Sequence, residues 1–196
     1  MSPEAEVFPN KAMLITTTRL IIRPVKVEDT EDLFEMLSNE DVYRFKPGSP
    51  ISREHAKQRA LDCSQDPAFW AVVLCSNRKM IGRLYFNQTE PKHLLTWELG
   101  YIFNPAYHNQ GYASESAPAL VQYGFAHWGV HRVVAYCNPQ NIPSWRVMEK
   151  IGMRREGYLK QNIYFRRDED GSPAWQDSFA YGMLKEDLDP RSKREN

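Results

Sequence analysis

Trp97-Glu98-Leu99-Gly100-Tyr101-Ile102-Phe103-Asn104-Pro105-Ala106-Tyr107-His108-Asn109-Gln110-Gly111-Tyr112-Ala113-Ser114-Glu115 passes from strand-like alternation through a glycine turn into a helix-like segment. Leu95, Trp97, Leu99 and Tyr101 fall on one side of a pleated strand, with Thr96, Glu98, Gly100 and Ile102 on the other. A helix start presents backbone N–H groups without intrahelical partners, and the helix dipole adds roughly half a positive charge there. A pyrophosphate can be held at such a place without a basic side chain. Gly111 has no Cβ, which lets the anion come close.

Outward from this turn the chain alternates strand and helix signals. Thr18-Arg19-Leu20-Ile21-Ile22-Arg23-Pro24 reads as an opening strand closed by proline. Leu33, Met36 and Leu37 share one face of a helix, and a second helix can start near Ser52 with Glu54 in its first turn. Residues 69–75 and 80–86 read as an antiparallel pair across a short turn, followed by a strand from about His93 to Phe103. Beyond Gly111, residues 116–128 show helical spacing at Leu120, Tyr123 or Gly124, and His127, with Pro118 in the first turn and Gly129 as the stop. A strand over residues 131–137, a helix from Ile142 to Ile151 and a closing hairpin from Tyr158 to Met183 complete the order. A strand, glycine turn, helix and strand in succession make a crossover, and the class is mixed α/β.

A chain of 196 residues with 42% hydrophobic content fills one core and is short for two domains. The 25 basic and 25 acidic residues cancel, so the overall positive field that non-specific nucleic-acid binding relies on is missing and nucleic acid is disfavoured as a partner. Cys63, Cys75 and Cys137 are widely spaced and suggest neither a disulfide framework nor a zinc site. The five histidines show no metal spacing either. No apolar run reaches the length of a membrane span, and the first residues lack an export core, so a cytoplasmic protein without a membrane or metal is expected. Residues 1–13 read as an extension, 14–188 as the folded domain and 189–196 as a charged tail.

Two segments carry a family resemblance. One is the stretch from Trp97 to Glu115. The other is Asn138-Pro139-Gln140-Asn141-Ile142-Pro143-Ser144-Trp145-Arg146-Val147-Met148-Glu149-Lys150-Ile151-Gly152-Met153. Together they resemble the GNAT superfamily of acetyl-CoA-dependent N-acetyltransferases, and within it the ribosomal-protein N-terminal (Rim-type) branch. The resemblance covers roughly residues 14–188. It implies a mixed, mostly antiparallel sheet of about seven strands flanked by helices, with a parallel strand pair splayed at the cofactor site. In such a fold, backbone groups of Tyr101, Ile102 and Phe103 would bond the pantetheine arm of acetyl-CoA. The loop of His108, Asn109, Gln110, Gly111, Tyr112, Ala113 and Ser114 would cradle the pyrophosphate, and Asn141 would touch the cofactor. Family members usually carry Gln or Arg, then often Gly, at the positions matching His108 and Asn109, so the loop departs from the pattern there.

Amine acetylation needs a neutral amine and a route for its proton, which a carboxylate can supply directly or through water. Glu98 is the candidate base; the competing reading is a solvent-facing or salt-bridged strand glutamate. Ser144 is the candidate acid for the departing thiolate; the competing reading is a first-turn hydroxyl behind an Asn141 cap. The expected partners are acetyl-CoA and an amine acceptor, which could be a protein N-terminus or a small amine such as a polyamine, an antibiotic or an amino acid. A non-catalytic acyl-CoA-binding module is the alternative of a different class, and a homodimer is compatible with the resemblance. The acceptor loops are expected at residues 44–53 and 166–175, where Asp168, Glu169 and Asp170 would attract a cation or simply form a solvated tip.

Overall fold

The computed structural model describes residues 13–188. The expected extension, apart from Met13, and the expected tail lie outside the described residues. Between them the strands are β1 (Ile15–Thr16), β2 (Leu20–Pro24), β3 (Phe69–Leu74), β4 (Met80–Gln88), β5 (Thr96–Phe103), β6 (Arg132–Cys137), β7 (Arg154–Arg167) and β8 (Pro173–Leu184). They form one eight-stranded sheet in the order β1-β2-β3-β4-β5-β6-β8-β7. The strand beyond the expected seven is β1, whose two residues are too few to show a pattern.

Apolar alternation places four helices on the two faces of this sheet: α1 (Thr30–Leu37), α2 (Arg53–Gln65), α3 (Tyr112–His127) and α4 (Ile142–Lys150). Leu33, Met36 and Leu37 of α1 and Ala60 and Cys63 of α2 pack with Ala71, Val73, Met80 and Ile102 on one face. Leu120, Val121 and Phe125 of α3 and Met148 of α4 pack with Trp70, Leu84, Phe86, Trp97 and Leu99 on the other. Trp97 and Trp128 stack there with centroids 5.5 Å apart. Such aromatic contacts add to a core that apolar burial already drives.

The helix starts follow their capping residues. Ser52 accepts from the His55 amide and opens α2, and Asn141 accepts from the Ser144 amide and opens α4. Helix α3 begins at Tyr112, four residues earlier than its spacing suggested, so Pro118 is an interior residue and not a first-turn one. A proline there removes the bond to the Ser114 carbonyl. Leu95 is also misplaced by simple alternation. It takes a left-handed φ of 51° after a 3-10 turn and is exposed, leaving Trp97 and Leu99 as the buried side of β5.

All neighbouring strands are antiparallel except β5 and β6, whose parallel pairing covers only Thr96↔Arg132, Trp97↔Val133 and Glu98↔Val134. Both strands continue past this register, β5 to Phe103 and β6 to Cys137, without pairing each other. A fork therefore opens immediately after Glu98. On its far side the β7–β8 hairpin reaches back across, and Arg166 Nη2 donates to the Tyr43 carbonyl at 2.9 Å. This contact joins the start of the second loop expected to frame the acceptor to the residue just before the first.

Candidate active site

Hydrogen-bond direction alternates along β5 with a period of two. Thr96 O accepts from Thr89 N and Asn104 N donates to Ile81 O, so even-numbered residues face β4; Leu95 O accepts from His131 N on the β6 side. Backbone groups of Tyr101 and Phe103 consequently point into the fork, whereas those of Ile102 are turned to β4. Of the three residues expected to offer backbone groups to a pantetheine, the strand geometry turns two toward the fork and excludes Ile102.

The glycine turn is built on two left-handed residues, Asn109 (φ 59°) and Gly111 (φ 81°). Asn is among the few non-glycine residues that enter this region readily, which explains how position 109 takes a left-handed φ without glycine. Successive amides in such a turn form an anion-binding concavity. Among the described residues no backbone partner is present for the Tyr112, Ala113 and Ser114 amides, whereas the Glu115 amide that follows them donates to Gly111 O. The His108 ring folds back to the strand, with Nε2 3.0 Å from the Phe103 carbonyl. It holds the end of β5 in this structure and is not turned toward the free amides.

One contributor to this loop carried no local signal in the sequence. Arg19, at the entry to β2, donates through Nη1 to the Gln110 carbonyl at 3.1 Å and through Nε to Glu115 Oε2 at 2.7 Å. Its guanidinium also sits 4.5 Å from the centre of the Tyr112 ring. Glu115 accepts further from Thr17 Oγ1 and from the Arg19 amide. Burial would raise the Glu115 carboxyl, but these hydrogen bonds outweigh it and hold the pKa below the ordinary range.

Glu98 lies at the last paired position of the fork, on the face shared with Ile102, α1 and α2. It makes no salt bridge or side-chain hydrogen bond among the described residues, and burial raises its pKa. Tyr101 projects to the opposite face, where its hydroxyl donates to the Ser144 carbonyl at 2.7 Å and lies 3.2 Å from Ser144 Oγ. Burial keeps that phenol protonated far above neutrality. Burial pushes the pKa of the Cys137 thiol, at the end of β6, up to about 11. The sequence suggested only backbone roles for Tyr101; strand alternation toward α4 was the available clue to its hydroxyl.

The fork and the turn fit the two halves of acetyl-CoA: unpaired strand groups for the pantetheine, free helix-start amides and Arg19 for the pyrophosphate. The acetyltransferase (GNAT) domain family matches residues 19–154. The chain belongs to the GNAT acetyltransferases. This acetyltransferase is 39% identical over 176 residues to the uncharacterized N-acetyltransferase YnaD of Bacillus subtilis, covering 89% of this chain and 99% of the relative. A crystal structure of a GNAT-family acetyltransferase from Bacillus anthracis superimposes with a TM-score of 0.80 at 37% identity, over 89% of this chain and 99% of that one. At 24% identity, over 90% of this chain and 93% of the relative, it is similar to the [ribosomal protein uS5]-alanine N-acetyltransferase of Escherichia coli. The acetyltransferase is thus an enzyme of this family, with acetyl-CoA as the family's donor. Among its described residues no helix is long and apolar enough to cross a membrane, and no group of three or more His, Cys, Asp or Glu could hold a metal ion.

Proposed function

We propose that this enzyme acetylates a protein N-terminal α-amine by direct transfer, with Glu98 accepting the amine proton and Ser144 serving the departing thiolate. The observation that carries the reading is the fork itself. It lies between a carboxylate on one face and the paired hydroxyls of Tyr101 and Ser144 on the other. Acetyl-CoA, when bound, supplies the activated acyl group; the chain supplies position and proton handling.

An α-amine with a pKa near 8 is partly neutral at physiological pH, so a modest base suffices. Burial prepares Glu98 for that task, because a raised pKa makes its carboxylate a better proton acceptor. Cys137 would be a poor nucleophile with a thiol held near 11, which favours direct transfer over an acetylated cysteine. The distant likeness to a ribosomal-protein alanine acetyltransferase favours a peptide acceptor.

Thiol release from acetyl-CoA, measured over N-terminal peptides, polyamines, aminoglycosides and free amino acids, tests the acceptor class. Peptides should give the highest kcat/KM, with acetate on the α-nitrogen by mass spectrometry; a preference for polyamines or aminoglycosides would replace this reading. Ser144→Ala should lower kcat by about tenfold or more if the hydroxyl serves the leaving group. Since Asn141 caps the helix through the Ser144 amide, which alanine retains, the melting temperature should hardly move. An unchanged kcat would reduce Ser144 to a first-turn hydroxyl.

A further inference from the structure

Gly82, Gly100, Gly157 and Gly182 lie inside strands of the sheet. Glycine weakens a strand interior, so each of these positions needs a cause. An added Cβ at Gly82 would run into the Phe103 ring, and at Gly182 into the ion pair of Arg132 and Glu156 that lies over it. Gly157 stands where the register of β7 against β8 shifts, as at a bulge. Gly100 has none of these causes. Its φ is not left-handed, and its strand pairs with β4 in unbroken register. Beyond its chain neighbours, an added Cβ would meet only Tyr85, at an ordinary 3.5 Å from Cβ and 3.8 Å from Cδ1. Nothing inside the protein uses the space that the missing side chain leaves. A strand glycine of this kind marks a place where another group approaches closely.

That space opens at the fork. Gly100 is the second residue after Glu98 on β5, so the two share one face of the sheet. Pairing with β6 ends at Glu98↔Val134, which puts Gly100 just past the point of opening. Tyr136, two residues beyond Val134 and on the same face, is 49% exposed and comes no nearer than 4 Å to the added Cβ. On the β4 side, Tyr85 is paired with Gly100 and Asn87 with Glu98. The Tyr85 ring is fixed by Phe69, with centroids 5.5 Å apart, and its hydroxyl accepts from Asn87 Nδ2 at 3.4 Å. A half-buried notch results, with Gly100 as its floor, Tyr85 as a wall and the unpaired Glu98 carboxylate next along the strand. The backbone of Gly100 is turned to β4, so a side chain there would leave the strand groups of Tyr101 and Phe103 in place.

Resting on the reading that an N-terminal amine is acetylated beside Glu98, we infer that Gly100 is a specificity-determining residue of the acceptor site. The first residue of the acceptor closes onto its bare backbone beside Tyr85, and the missing side chain sets how much bulk is admitted next to the amine.

Gly100→Ala and Gly100→Val are to be compared with the parent on peptides that differ only in a first residue of Gly, Ala or Val. In Gly100→Ala the acceptor KM should rise about 10-fold or more, the scale of one methyl group set against a fitted pocket. The rise should grow with the size of the first side chain and again in Gly100→Val. The KM for acetyl-CoA and the melting temperature of Gly100→Ala should stay at the parent's values, which a general disturbance of β5 would not permit. An unchanged acceptor KM in Gly100→Ala overturns the inference, as does a KM for acetyl-CoA that rises in step with it, and either result leaves N-terminal transfer standing. If a polyamine or aminoglycoside is the better acceptor, the N-terminal reading fails by itself, and the KM of that amine in Gly100→Ala against the parent decides the role of Gly100. Should no amine release thiol, calorimetric titration of the parent and Gly100→Ala with the same peptides decides it; equal affinities, or binding to neither, overturn the inference.

Discussion

Replacing Glu98 by glutamine is expected to lower kcat by roughly 10²- to 10⁴-fold, the usual worth of a positioned general base. The KM for acetyl-CoA should change far less, because the helix-start amides and Arg19 lie elsewhere. In the unmodified enzyme, activity should rise with pH through the Glu98 pKa, which burial places above the ordinary carboxylate range. The glutamine variant should lose that acidic limb. Stability offers an independent control with the opposite sign. A carboxyl whose folded pKa is raised stabilises the fold below its unfolded pKa and loses that contribution as pH climbs through the folded value. Near neutral pH the glutamine variant should therefore be as stable as the parent or more so. A salt-bridged structural glutamate would give the reverse: a lower melting temperature with kcat nearly intact.

The second large effect is on stability. A Cβ added at Gly82 would stand 2.4 Å from Phe103 Cδ1, 2.7 Å from Cε1 and 2.9 Å from the Ile102 carbonyl oxygen. The obstacle includes backbone, so a ring rotation alone cannot relieve it. Gly82→Ala should cost about 1–3 kcal/mol as an overpacked core site, lowering the melting temperature by roughly 2–12 °C for a chain of this size. Gly100 is the matched control on the same strand pair, where a Cβ would meet Tyr85 Cβ at an ordinary 3.5 Å. Its alanine variant should melt close to the parent. If both variants melt alike, the packing of Phe103 against Gly82 is not the determinant.

The fold was largely legible because its signals are local. Ser52 ahead of α2, Asn141 ahead of α4 and the alternation through Trp97 and Leu99 each announce an element within a few residues. Pro118 misled the start of α3, since a proline usually marks a first turn and here sits inside the helix. The hairpin strands extended further than expected because β7 is an exposed edge rich in Arg and Lys, with little apolar period to read. At the site, the turn and the carboxylate were visible as contiguous residues. Arg19 was not, for it meets Gln110 and Glu115 across 91 and 96 residues of chain.

The bond between Arg19 and Glu115 has a thermodynamic corollary. It ties the connection between β1 and β2 to the turn that would receive the pyrophosphate, through a carboxylate also gripped by Thr17. Coupling free energies are reciprocal. An anion that orders the turn tightens the entry to β2 by the same amount that a well-seated β2 improves the affinity of the turn. With the turn as the pyrophosphate site, residues 17–19 would contribute to donor affinity by sparing the loop its ordering entropy, beside the direct contact that the Arg19 guanidinium would make.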